Sequence, residues 1–180
     1  MDNTDYIRQM FNIPIAHYKV RDWESKKSAL LNLIDQNQFE YDEHIETDFH
    51  KWSEDKGYEM KIQDLLTEEL KLFCKSFGFS QYSVNQAWFE KASQNDYHDV
   101  HNHGPFGYSS VCFIEFDKDD HQATKFIAPF NNFLNGLPLT HCPDVEEGSI
   151  IFFPSSTLHY TKPNKSLKQR IILSFNLNVG

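Results

Sequence analysis

The sequence predicts an α+β fold that is mainly β, with N-terminal helices buttressing one sheet of a β-sandwich. Three observations carry that prediction. Apolar residues recur at helical spacing only in the first part of the chain, up to about residue 78, whereas from about 79 to 180 short β-prone runs follow one another between turn signals. Helices first and strands afterwards suit helices packed on one face of a sheet better than helices alternating with parallel strands. The length of 180 residues with 39% hydrophobic content fits one domain with an ordinary core and leaves a second one without material.

In chain order, the acidic start Met1-Asp2-Asn3-Thr4-Asp5 lacks the apolar stretch of an export signal. Over 24–36, Ala29, Leu30, Leu33 and Ile34 recur at helical spacing, and Asp22 is placed to cap the helix. Residues 44–56 are charged and aromatic without a period, which predicts a mobile loop able to border a pocket. A longer helix over 58–77 puts Ile62, Leu65, Leu66, Leu70 and Phe73 on one face and ends near Gly78. Strands are then expected over 82–91, 108–116, 125–128, 149–153, 158–161 and 169–179. Asn95-Asp96, Gly104-Pro105, residues 117–120, Asn135-Gly136, Glu147-Gly148 and Pro163-Asn164 supply the turns between them. The chain contains no internal repeat and no low-complexity tract.

A net charge of −9 without a basic run argues against nucleic acid as a partner, because phosphate binding needs clustered Lys or Arg. No apolar stretch is long enough to span a bilayer, so a cytoplasmic protein free of the membrane is expected. A homodimer is compatible with this surface. Cys74, Cys112 and Cys142 are an odd number at wide spacing, which fits a reducing compartment and neither a disulfide framework nor a metal knuckle. Cys112, inside the run Val111-Cys112-Phe113-Ile114, reads as a core residue.

The chemistry concentrates in His101-Asn102-His103, His159 and Arg170. On a strand, residues two apart face the same way, so His101 and His103 can aim at one ion while Asn102 points away. His159, on a distant strand, closes a triangle of metal ligands. Arg170 alternates with Ile172, Ser174 and Asn176 against the apolar set Ile171, Leu173, Phe175 and Leu177, a pattern suited to a sheet with a wet inner face. Its guanidinium can hold the remote carboxylate of a co-substrate that chelates the metal, with Ser174 and Asn176 as further polar contacts. On a regular strand Asp99 shares the face of His101 and His98 does not; Asp99 can therefore orient a liganding imidazole or supply a carboxylate ligand itself. Trp88, Tyr97, Phe106 and Tyr108 are candidates for the substrate mouth, with packing as the competing role. His17, His44, His50, His121 and His141 have no same-face partner two residues away and read as ordinary surface or core histidines.

These motifs resemble the Fe(II)/2-oxoglutarate-dependent oxygenases, specifically a branch of small proteins with a His-x-His, His and Arg pattern. The residues that carry the resemblance are Trp88, His101-Asn102-His103, Ser109-Ser110-Val111, the run 148–159, Arg170-Ile171-Ile172-Leu173-Ser174-Phe175-Asn176, and the opening segment 11–18. The wider superfamily carries Asp or Glu where His103 stands, and often Ser where Ile172 stands. The resemblance implies a double-stranded β-helix of jelly-roll type, Fe(II) on His101, His103 and His159, and 2-oxoglutarate held at Arg170. It also implies a dioxygenase that uses O₂ to convert 2-oxoglutarate to succinate while oxidising a substrate, most often by hydroxylation. Two other readings remain: a three-His, cupin-like dioxygenase that binds its substrate directly, and a non-catalytic jelly-roll module. The substrate itself is not encoded in a readable way, since it would be chosen by segments such as 44–56 and 130–144.

Overall fold

The structure, a computed structural model, describes residues 11–34, 39–51 and 57–180. The acidic N-terminal residues, the end of the expected helix at Gln36 and the end of the 44–56 segment lie outside these. The elements run β1 (Ala16–Lys19), α1 (Trp23–Leu31), β2 (Glu40–Asp42), β3 (Ile45–Thr47), α2 (Glu59–Leu65) and α3 (Thr67–Phe77). They continue as β4 (Tyr82–Ala92), β5 (His98–His101), β6 (Tyr108–Glu115), β7 (Lys125–Asn131), β8 (Pro138–His141), β9 (Ser149–Pro154), β10 (His159–Thr161) and β11 (Arg170–Val179). Two antiparallel sheets result, a seven-stranded one in the order β1-β9-β6-β11-β4-β3-β2 and a four-stranded one in the order β5-β10-β7-β8. This is the jelly-roll architecture, and its helices lie on one face of the larger sheet as expected.

Two apolar layers follow from the period-2 alternation of the long strands. Ala87 and Phe89 of β4, Cys112 and Ile114 of β6, Ile150 and Phe152 of β9, and Leu173 and Phe175 of β11 face the helices and pack with Leu30, Ile62, Leu70 and Phe73. The opposite faces of the same strands present Val111, Phe113, Ile151, Phe153 and Ile172, which meet Phe126 of β7 between the sheets. Cys112, at 0% exposure, is the core residue its apolar neighbours predicted.

Local chemistry explains where helices and turns differ from expectation. Asp22 stands at the N-cap of α1 but in the left-handed region at φ 51°, and its side chain makes no cap. The expected 58–77 helix is two helices broken at Leu66. There the Thr67 hydroxyl donates to the carbonyl of Gln63 at 2.8 Å, diverting an acceptor from the helical ladder. Gly78, at φ 77°, ends α3 as predicted. Gly148 opens β9 at φ 79°, with the Trp23 indole packed so closely that an added Cβ would lie 2.9–3.2 Å from it. The 44–56 segment is not the patternless loop anticipated, because Ile45–Thr47 pairs with β4 and extends the large sheet. Among the described residues, no helix is long and apolar enough to cross a membrane.

Candidate active site

His101 and His159 face each other as a cross-strand pair between β5 and β10, at the mouth of the small sheet. From there to the Thr161–His98 pair, β10 advances by one residue fewer than β5, so β5 carries a bulge. The Thr161 hydroxyl takes the His98 backbone N–H at 2.9 Å and holds the bulge in place. One extra residue reverses the alternation expected of a regular strand. His98 thus shares the His101 face, its ring stacked on that of His101 at 4.0 Å between centroids, while Asp99 is exposed. Asp99 still meets the site, but through its main-chain carbonyl, which accepts from His101 Nδ1 at 2.7 Å. His103 is not on the strand either. β5 ends at His101, and the His103 backbone N–H donates to Ser155 O at 2.9 Å across the cleft.

The three histidines converge nonetheless, with ligand atoms all within 4.8 Å of one another. A carbonyl only accepts, so His101 Nδ1, against Asp99 O, and His159 Nδ1, at 2.8 Å from Thr157 O, carry the ring protons and leave both Nε2 atoms as lone-pair donors. The Nε2 atoms of His103 and His159 are 3.2 Å apart. Adjacent imidazoles at ~2.1 Å from a metal on an octahedral face would sit ~3 Å apart. Burial first, and mutual repulsion second, keep the rings neutral: His103 is lowered to about 3 and His159 to about 4, and His101 is lowered as well. Neutral imidazoles in a facial group form a donor set that fits a divalent first-row metal.

Arg170 reaches the same interior from β11. It is 3% exposed, and Nη1 donates to Gln122 O at 2.8 Å, while Nε and Nη2 have no hydrogen-bond partner among the described residues. Burial lowers its pKa, so the protein gives this charge a place without giving it a full set of partners. A buried guanidinium with free donors is fitted to a carboxylate brought by a ligand. Ser174 is buried on the same face. Asn176 has both ends of its amide engaged, accepting from Ser109 Oγ and donating to Gln86 Oε1, each at 2.8 Å.

A cavity of about 220 Å³ opens over His101 and His103, walled by Trp88, Tyr97, Phe49 and His44. Trp88 is buried and its ring lies 5.1 Å from that of His103. Tyr97 stacks on His44 at 4.3 Å, which brings His44 to the site although its sequence context gave no sign of it. Tyr108 does not join them. Its ring packs on Phe73, Phe77 and Phe79, on the helix side of the sheet. Phe106 is 85% exposed at the turn after the histidine pair. Part of the 130–144 segment lines a separate, more apolar hollow of about 420 Å³ with Phe126 and Phe153, whose rings contact His159 from behind.

Sequence reasoning missed Glu90. It is 4% exposed, accepts from Trp88 Nε1 at 2.9 Å and lies 3.4 Å from His98 Nδ1. Burial works against its charge, but His98 and Trp88 prevail and lower its pKa to about 2. The available signal was an acid two residues after Trp88, on the inward face of the buried second half of β4.

A jelly roll whose sheets bring together a trio of neutral histidines and a buried arginine with unpartnered donors is suited to hold a mononuclear non-haem metal and an anionic ligand. The family described as "Putative 2OG-Fe(II) oxygenase" matches residues 86–176, and the chain belongs to it. It is accordingly an Fe(II)- and 2-oxoglutarate-dependent oxygenase, with 2-oxoglutarate, O₂ and a further substrate as its partners. Among solved structures, a prolyl-4-hydroxylase from Pseudomonas putida is similar at 11% identity and TM-score 0.58, covering 92% of this chain and 92% of that one. A collagen prolyl hydroxylase from Paramecium Bursaria Chlorella virus-1 is similar at 13% identity and TM-score 0.59, covering 91% of this chain and 94% of that one. An oxidoreductase of the 2OG-Fe(II) oxygenase family from Burkholderia pseudomallei is similar at 14% identity and TM-score 0.51; the match covers 66% of this chain and 55% of the length of that protein. These likenesses concern the fold. No curated protein matches the chain in sequence.

Proposed function

We propose that the chain acts as one oxygenase domain that hydroxylates an unactivated C–H bond of a substrate bound in the cavity beside Trp88 and Tyr97. In this reading His101, His103 and His159 hold Fe(II) through Nε2, and Arg170 takes the 2-oxoglutarate carboxylate remote from the metal. Bound iron and 2-oxoglutarate supply the oxidising chemistry, with succinate and CO₂ as co-products. The protein's part is positional: the main-chain carbonyls of Asp99 and Thr157 fix two imidazoles in the liganding tautomer, and Phe126 and Phe153 close the rear of His159 to solvent. The observation that carries the reading is the buried Arg170 guanidinium on the inner face of β11, whose Nε and Nη2 have no partner among the described residues. Similarity to two prolyl hydroxylases favours hydroxylation among the outcomes open to such enzymes.

Anaerobic titration of the protein with Fe(II) and then 2-oxoglutarate tests the assignment, because a metal-to-ligand charge-transfer band requires both partners in one site. The band should form, and on admission of O₂ succinate should accumulate slowly without added substrate. Products of candidate substrates should then gain one oxygen atom by mass spectrometry. If the band is unchanged in His159→Ala or in Arg170→Ala, the residue assignment fails.

A further inference from the structure

We propose that Glu90 is the charge-balancing and positioning residue of the metal centre, acting on His101 through His98. This rests on the three-histidine reading above. Glu90 stands on the inner face of β4, its carboxylate against the bulged strand that carries His98 and His101. Its Oε1 accepts from Trp88 Nε1 at 2.9 Å and lies 3.4 Å from His98 Nδ1. The His98 ring in turn lies on the His101 ring, 4.0 Å between centroids and 24° from parallel. A carboxylate, an imidazole and a candidate ligand imidazole therefore form one continuous path from the large sheet to the small one.

Three features say that this arrangement serves the metal and not the fold. A carboxylate with 4% exposure is costly to bury, and the apolar alternation of β4 would accept a Val or Leu at this position. The nearby Lys91 does not neutralise it: Lys91 alternates to the other face and lies 3.6 Å from Glu46. The β5 bulge is needed to turn His98 towards Glu90 at all, since a regular strand would point that ring away.

Charge counting supplies the reason. Where two histidines and a carboxylate hold the metal, that carboxylate offsets the cationic anchor once iron and 2-oxoglutarate cancel each other. Three neutral histidines leave Arg170 uncompensated in a buried site. Glu90 supplies a negative charge from outside the coordination sphere, shared between His98, 3.4 Å away, and Arg170. It is not among the clustered donors, which are His101, His103 and His159. It can therefore act only by fixing His98 against His101 and by its field.

The test uses Co(II), added under argon to the metal-stripped full chain, with affinity and ligand-field absorption as readouts and circular dichroism as the check on folding. Glu90→Gln keeps the shape and the Trp88 hydrogen bond but removes the charge. It should bind Co(II) about 10- to 100-fold more weakly and shift the absorption bands. Glu90→Asp keeps the charge and should recover most of the affinity. His98→Gln should weaken binding too, and the double variant should lose little beyond Glu90→Gln, because the two act along one path. Wild-type affinity and spectrum in a folded Glu90→Gln protein would overturn the proposal. Should that variant not fold, an unchanged Co(II) affinity in His98→Gln overturns it equally. Failure of the underlying reading looks different: His159→Ala would then bind Co(II) as the wild type does.

Discussion

Arg170→Ala discriminates between a co-substrate anchor and a structural ion pair, because the two roles predict opposite behaviour in the ligand-free protein. The guanidinium carries five N–H donors, and among the described residues only Nη1 is engaged, at Gln122 O. The free edge, Nε and Nη2, is the pair of donors that grips a carboxylate side-on. Truncating one partner of such a buried charged pair costs about 2–5 kcal/mol, so 2-oxoglutarate should bind roughly 30-fold to several thousand-fold more weakly. Without ligand the same charge is buried and under-partnered, and removing it relieves that desolvation while opening a cavity. The two effects oppose each other, and the ligand-free variant should melt within about 1 kcal/mol of the wild type. Arg170→Lys should restore only part of the affinity, since a point charge replaces a fork. Calorimetry of 2-oxoglutarate binding to anaerobic Fe(II) protein, with thermal melts with and without 2-oxoglutarate, measures both arms. Unchanged affinity, or a loss of several kcal/mol in the ligand-free variant, would show the residue to be structural and refute the argument.

Asp99→Ala should leave Fe(II) affinity within a few-fold of wild type, because the residue serves His101 through a main-chain carbonyl that alanine also has; a calorimetric loss of metal binding would make Asp99 a ligand after all. His103→Asp, which supplies the carboxylate common in the wider superfamily, should keep iron loading by metal analysis. Gly148→Ala should destabilise the protein by about 1–3 kcal/mol in urea melts, since it strains a positive φ and pushes a Cβ to 2.9 Å from the Trp23 indole. Metal-free stability should fall as pH drops below about 6.5: the unfolded chain takes up protons on histidines that the folded site keeps neutral, His103 down to about 3 and His159 down to about 4. His98, raised by Glu90 against the opposing effect of burial, works the other way. His103 and His159, neutral in the folded site and protonated in the unfolded chain, give a slope approaching ~2.7 kcal/mol per pH unit towards pH 5, to which the lowered His101 adds in the same direction. Urea melts across that range measure it, and a flat profile would contradict it.

The long elements were legible because each buries a face. The β-prone runs Tyr82–Ala92, Tyr108–Glu115 and Arg170–Val179 stand out as strands of a sheet covered on both sides, and Ile62, Leu66, Leu70 and Phe73 mark the helices that cover it. The short strands Glu40–Asp42, Ile45–Thr47 and Pro138–His141 were not legible. They are three or four residues long and owe their conformation to pairing with a neighbour, which no local pattern encodes. Of the two roles open to Tyr108, mouth or packing, the structure shows packing, and the sequence could not separate them for a related reason. Tyr108 begins its strand with the side chain on the helix face, and nothing local distinguishes the faces of a strand that is apolar on both.

At the site, the identities of the candidate ligands were legible and their geometry was not. His101 and His103 do converge, but not by sharing a strand face, since β5 stops at His101 and His103 is held by Ser155 O across the cleft. The β5 bulge inverted the expected roles of His98 and Asp99, and it leaves no mark in the sequence because it depends on the Thr161 hydroxyl that caps the His98 N–H. That single extra residue has two consequences. It exposes the Asp99 carboxylate, the nearest acid in sequence to the histidine pair, and it brings to the site, by way of His98, an acid from a different strand. On the proposal above, the negative charge that a liganding carboxylate would bring is supplied in this chain by Glu90, eleven positions before His101 and 3.4 Å from His98.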